Sequence, residues 1–110
     1  VSTPTGSTAY ALSAGGPVVD PTLGAMLVTP IASHTLTFRS LVVPDTVTVD
    51  MGLKATQESV YLTVDGQVGF PLKGEDHITV RKSETTLELI ESSNKNFFDI
   101  LRRKLKWGER

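Results

Sequence analysis

The sequence predicts a single, mainly β domain: an antiparallel, sandwich-like fold with one short helix near the N-terminus and a second helix at the C-terminal end. Three observations predict it. Apolar and polar residues alternate with period two in VTVDM and again in VYLTVDG, as they do along half-buried strands. Asp65 and Gly66 follow the second of these runs, and both residue types accept the positive φ of a tight hairpin turn. Only the last stretch shows a spacing of four, with Phe97, Leu101 and Leu105 on one helical face.

Each element has a local cause. From Val1 to Pro21 the chain is dense in Gly, Pro, Ser and Thr, which marks turns and exposed backbone. Within it Ser7–Ser13 (STAYALS) is just long enough for a short helix, which Thr5 or Ser7 could cap and Gly15, Gly16 and Pro17 would stop. AMLVTPI reads as a buried strand closed by Pro30. Val47, Val49 and Met51 mark the next strand, and Val60, Leu62 and Val64 the one after it. That strand turns at Asp65-Gly66 and returns through Val68 and Phe70. A second hairpin is expected in HITVRKSETTLELIE. Asn96 with Asp99 three residues on forms a helix start, and Gly108 can end that helix.

Composition narrows the function. The 110 residues are 39% apolar and 21% charged, which suits one modest core in an ordinary globular domain. A formal charge of −1 supplies no field to gather nucleic acid or an anionic membrane surface, so neither partner is expected. With no cysteine, disulfides and thiolate-ligated metals are excluded, and a cytoplasmic setting is the natural expectation. No apolar run reaches the roughly 18–20 residues of a membrane-spanning helix. The chain enters its first motif directly from Val1 and reads as a piece of something longer.

The chemistry-bearing residues are few. His34 and His77 lie in different segments without carboxylates at ligand spacing, so no metal site is expected. GxSxG, GxxxxGK[ST] and GxGxxG are all absent. A triad of Ser7, His34 and Asp65 would rest on availability alone. What stands out is the cluster Thr3, Thr5, Gly6, Ser7, Thr8 and Tyr10. Its hydroxyls, permissive glycine, helix-start amides and amphipathic ring suit a polar aromatic ligand. A capped helix start with a buried tyrosine is the plainer alternative.

TPTGSTAY followed by ALSAGGPVVDP, LVTPIASHTLTFRSLVVP and the later VDGQ resembles the C-terminal region of NAD kinases over essentially the whole chain. More distant kinship is expected with lipid kinases of the diacylglycerol kinase type, and a non-enzymatic β-rich module binding a nucleotide or protein is a further alternative. The resemblance implies transfer of the γ-phosphoryl of ATP, or of phosphate from polyphosphate, to the 2′-hydroxyl of the adenosine ribose of NAD, with Mg2+ accompanying ATP. It also implies a homodimer or homotetramer, and an N-terminal domain that carries a GGDG motif, the catalytic aspartate and an Asn-Glu pair. Neither signature occurs between Val1 and Arg110, so no catalytic residue is expected in this chain and the chain alone is expected to be inactive.

Carried over by position, Thr5, Thr8 and the Ala9 backbone contact the dinucleotide, Tyr10 packs near a base and Ser13 hydrogen-bonds to it. Asp65 matches an aspartate near the adenosine end of the site, contributed across a subunit interface, and its hairpin-turn role explains it equally well. Gly66 stands where some relatives have a side chain that can reach toward the ribose, so any such contact is lost or moved to Gln67. The resemblance gives His34 a packing role. The basic run RRKLK is read as a solvated helix face, and Phe97, Phe98, Leu101 and Leu105 as core or interdomain packing.

Overall fold

The computed structural model describes residues 1–31, 37–54 and 58–109. The amide and carbonyl of Ser2 bond the carbonyl and amide of Leu27 at 2.8 and 2.9 Å, which lays the first residues along strand β1 (Ala25–Val28). A 3-10 turn, Thr5–Thr8, and one turn of α-helix, α1 (Tyr10–Ser13), follow. The helix expected over Ser7–Ser13 is therefore interrupted at Ala9, whose φ of −100° and ψ of −126° are not helical.

Neither Thr5 nor Ser7 caps these turns. The Ser7 side chain is directed elsewhere: it is fully buried, and its Oγ accepts from Val19 N at 2.9 Å and donates to Val19 O at 3.4 Å. The glycines do stop α1. Gly15 takes φ +90°, Gly15 N donates to Leu12 O at 3.0 Å and Gly16 N to Ala11 O at 2.9 Å, the paired bonds of a Schellman motif. Gly16 must stay small, because a Cβ there would lie 2.8 Å from Thr29 Oγ1 and 2.9 Å from Ala11 O.

Strand β1 pairs antiparallel with β2 (Leu41–Pro44), from Ala25 opposite Pro44 to Val28 opposite Leu41. LVVP has no polar alternation, so the period-two pattern does not reveal β2. β3 (Val49–Gly52) pairs with β6 (His77–Val80), and β4 (Val60–Val64) with β5 (Val68–Leu72). The β4–β5 hairpin forms as predicted. Asp65 and Gly66 take φ of 53° and 68°, and Gln67 N closes the turn on Val64 O at 3.1 Å.

Two expectations change. The described strands form three separate two-stranded ribbons, so the antiparallel β class holds while the two facing sheets of a sandwich do not emerge. The second hairpin is not formed: β6 takes β3 as its partner, across the intervening β4–β5 hairpin, and the LELIE stretch lies outside any strand. RKSETT lacks the Gly or Asn that supplies the positive φ of a two-residue hairpin turn. Just beyond β6, Lys82 instead reaches Asp45 at 2.9 Å, at the end of β2. Leu87 and Ile90 are left 86% and 102% exposed.

The C-terminal helix α2 (Phe97–Leu105) begins on a capping box. Asp99 N donates to Asn96 Oδ1 at 2.9 Å and Asn96 N to Asp99 Oδ2 at 3.3 Å. Leu101 is buried while Phe97 and Leu105 are half-buried, so the stripe read from the sequence is the inward face. The helix ends earlier than Gly108, at Lys106 in the left-handed conformation with φ 55°. A positively charged residue there suits the negative end of the helix dipole.

Among the described residues the buried apolar ones are Val19, Met26, Leu27 and Leu101. So small a core leaves much surface. The chain exposes 9383 Å², against about 6,000 Å² for a folded monomer of this mass. Its radius of gyration is 16.3 Å, against about 13 Å for a compact domain of this length.

The Ser7 bonds yield a test. Ser7→Ala leaves the Val19 amide and carbonyl without their partner in a buried place, so it is expected to lower stability by about 1–3 kcal/mol in chemical denaturation. An unchanged denaturation midpoint would show that this clamp carries no weight.

Candidate functional site

Thr5, Thr8, Ala9, Tyr10 and Ser13, all expected at a ligand site, lie on the continuous stretch formed by the 3-10 turn and α1. Three anchors hold that stretch: the Ser2–Leu27 bridge before it, the Ser7–Val19 clamp beneath it and the Gly15–Gly16 motif after it. Since Ser7 points inward, its neighbours turn outward. Thr5, Ala9 and Ser13 are exposed, Thr8 is half-buried, and the Tyr10 ring is 69% exposed. That exposure removes the alternative of a buried tyrosine serving only the core.

Internal bonds order the segment further. Gly6 N donates to Thr3 Oγ1 at 3.1 Å, Thr8 Oγ1 donates to Thr5 O at 3.4 Å, and Ala9 O accepts from Leu12 N and Ser13 N at 3.1 and 3.4 Å. Tyr10 and Ala11 stand where a helix leaves its first amides without an internal acceptor. No Asp, Glu, Lys, Arg or His occurs between Ser2 and Val19. The stretch thus offers hydroxyls, amides and an open aromatic face, and no acid or base. It can bind and orient a polar ligand with a planar ring, but it carries no group suited to taking a proton from a hydroxyl at neutral pH.

The nearest carboxylate in sequence is Asp20. It accepts from Thr22 N at 2.9 Å and from Thr22 Oγ1 at 2.7 Å. These bonds, the backbone one first, hold its carboxyl below the usual carboxylate range, as an acceptor closing a turn.

Asp65 is not brought to this stretch. It occupies its positive-φ place in the β4–β5 turn, and among the described residues no hydrogen bond or ion pair ties it to Thr5–Ser13. His34 lies outside the described residues. The Ser7, His34 and Asp65 triad fails on its serine, which is buried and committed to Val19. His77 is on β6, exposed, with Nδ1 3.6 Å from Asp50 Oδ1. Among the described residues no cluster of three or more His, Cys, Asp or Glu could hold a metal ion. No described helix is long and apolar enough to cross a membrane.

One residue at the site escaped the sequence reading. Lys104 Nζ donates to Thr8 O at 3.1 Å, joining α2 to the 3-10 turn. In RRKLK, Arg102 and Arg103 are exposed and turn away from the apolar stripe, as a solvated face requires. Lys104 is exposed too, but it falls three residues after Leu101 and shares its side of the helix. A cation on the apolar side was the signal available.

The family model of the ATP-NAD kinase C-terminal domain matches residues 1–92. An NAD kinase of Koribacter versatilis is 51% identical over all of this chain and 38% of its own length. One of Geobacter metallireducens is 52% identical over all of this chain and 39% of its own length. The chain therefore spans about two fifths of the curated relatives it matches. Among solved structures, yeast NADH kinase complexed with NADH superposes with a TM-score of 0.69 at 33% identity, covering 97% of this chain and 34% of that one. The TPTGSTAY stretch, the antiparallel ribbons that carry it and a match over residues 1–92 agree: the chain belongs to the ATP-NAD kinase C-terminal domain family.

Proposed function

We propose that this domain forms the dinucleotide-binding part of an NAD kinase, which transfers the γ-phosphoryl of ATP, or phosphate from polyphosphate, to the 2′-hydroxyl of the adenosine ribose of NAD. The observation that carries the reading is the outward-facing, uncharged Thr5–Ser13 stretch, with Tyr10 open to a planar ring. Thr5, Thr8 and the Ala9 backbone contact the dinucleotide, the Tyr10 ring packs against a base, and Ser13 supplies a hydrogen bond. Asp65, on its exposed turn, reaches the adenosine end from a neighbouring subunit of a homodimer or homotetramer. The solved relative that carries NADH supports a dinucleotide as the ligand class.

In the reaction a bond forms between the ribose 2′ oxygen and the γ-phosphorus as the β–γ bridge breaks, and the hydroxyl proton leaves to a base. The Thr5–Ser13 stretch has no Asp, Glu or His, and the family resemblance assigns that role to an aspartate in the GGDG motif of the parent's N-terminal domain. Mg2+ accompanying ATP would be held mainly by the nucleotide's own phosphates and would neutralise their charge. The surface in excess of a compact monomer, about 3,400 Å² by mass scaling, supports an N-terminal domain or a further subunit covering this one. Leu87, Leu89, Ile90 and Phe98 are among the apolar side chains left open to it. The parent enzyme works in the cytoplasm.

Two outcomes follow. The full-length parent incubated with NAD, ATP and Mg2+ is expected to yield NADP, whereas the 110-residue chain alone yields none; a folded parent without product would refute the reading. Tyr10→Ala in the parent is expected to weaken NAD binding by roughly 1–3 kcal/mol, the scale of a lost aromatic stack on a base. Calorimetry showing unchanged affinity would remove Tyr10 from the site.

A further inference from the structure

We propose that Lys104 is a positioning residue: its ammonium, carried on the C-terminal helix, fixes the Thr8–Ala9 peptide in the orientation that presents Thr8, Ala9 and Tyr10 to the ligand. The inference rests on the reading of Thr5–Ser13 as the dinucleotide stretch. This peptide is held at both ends. Its oxygen accepts from Lys104 Nζ at 3.1 Å, and its N–H donates to Gly6 O at 3.1 Å. A peptide unit bonded at both oxygen and nitrogen cannot turn about its flanking single bonds without breaking one of the two.

The place matters more than the strength. The Thr8–Ala9 peptide is the joint between the 3-10 turn and α1, where the backbone leaves helical conformation at Ala9. Rotation there would swing Tyr10 away from Thr5 and Thr8. Behind the joint Ser7 is already fixed by its bonds to Val19, so Lys104 restrains the half of the turn that Ser7 does not reach. The cation also faces the carbonyl end of the turn, where the backbone dipole favours positive charge.

The helix side is built to deliver this contact. The Asn96–Asp99 capping box sets where α2 begins, and Leu101, 4% exposed, seats it. Lys104 is one turn beyond Leu101 on the same side. Among the described residues no carboxylate pairs with Lys104, whereas Arg102 has Asp99 at 4.0 Å. Lys104 is itself exposed, so its contribution to global stability is small and its effect is local.

The test uses the full-length parent carrying Lys104→Met, which keeps the aliphatic stem, and Lys104→Arg, which keeps a donor. NAD affinity is read by calorimetry, KM for NAD and kcat separately by kinetics, and backbone order by hydrogen exchange at Ala9, Leu12 and Ser13. Loss of one charge-assisted bond at an exposed position is expected to weaken NAD binding roughly three- to ten-fold in Lys104→Met, with recovery to within about two-fold in Lys104→Arg. The change should appear in KM for NAD, with kcat and the melting temperature nearly unaltered and exchange faster at the three amides. Exchange unchanged in Lys104→Met would overturn the restraint, and faster exchange with unaltered NAD affinity would overturn its role in positioning. A wild-type parent that binds no NAD would instead refute the dinucleotide reading, while the exchange comparison would still decide whether Lys104 holds the peptide.

Discussion

The hydroxyl of Ser7, buried and bonded to both backbone groups of Val19, decides which way the N-terminal motif faces. A polar atom taken out of water must find partners, and Val19 supplies an acceptor and a donor within reach of one oxygen. With Ser7 pinned inward, the 3-10 geometry sends Thr5, Thr8 and, beyond the joint, Tyr10 towards solvent. Gly15 and Gly16 then reverse the chain tightly enough for Val19 to come back beneath Ser7. The chemistry at the surface of the motif is thus set by a serine that takes no part in it.

A site made this way can position but cannot activate. The stretch from Ser2 to Val19 holds no Asp, Glu, Lys, Arg or His, the side chains that most often take or give a proton in catalysis. Hydroxyls, amides and a ring face supply orientation, which is the larger part of what phosphoryl transfer asks of the protein surface around the acceptor. Leu87, Leu89 and Ile90 of LELIE and Phe98 and Ile100 of α2 are exposed as well, and form apolar surface of the kind that proteins cover with a partner.

Much of this was legible in the sequence, and the misses have physical causes. Period two marked β3 and β4, and Asp65-Gly66 marked the turn that returns the chain through β5, because strand pleat and positive φ are properties of a few adjacent residues. The capping box and the Phe97, Leu101, Leu105 stripe were legible for the same reason. Partnerships between distant segments were not: β6 pairs with β3 across the intervening β4–β5 hairpin instead of forming a local hairpin. Ser7 reads as a helix cap because a serine before an alanine-rich turn usually serves the nearest amides, and only the fold shows Val19 arriving to compete. At the candidate site, the outward turn of Thr5, Ala9, Tyr10 and Ser13 depends on Val19 arriving beneath Ser7, and the bond from Lys104 to Thr8 O joins residues 96 apart, so neither could be read from local sequence.

The central claim is that Tyr10 offers its ring to a base of the bound dinucleotide. Nuclear Overhauser effects between the Tyr10 ring protons and the ring protons of NAD, recorded on the full-length parent saturated with ligand, test it most directly. Cross-peaks from Tyr10 to the adenine or the nicotinamide ring are the predicted result. Bound NAD with no cross-peak to Tyr10, and with its ring protons close to other side chains instead, would contradict it.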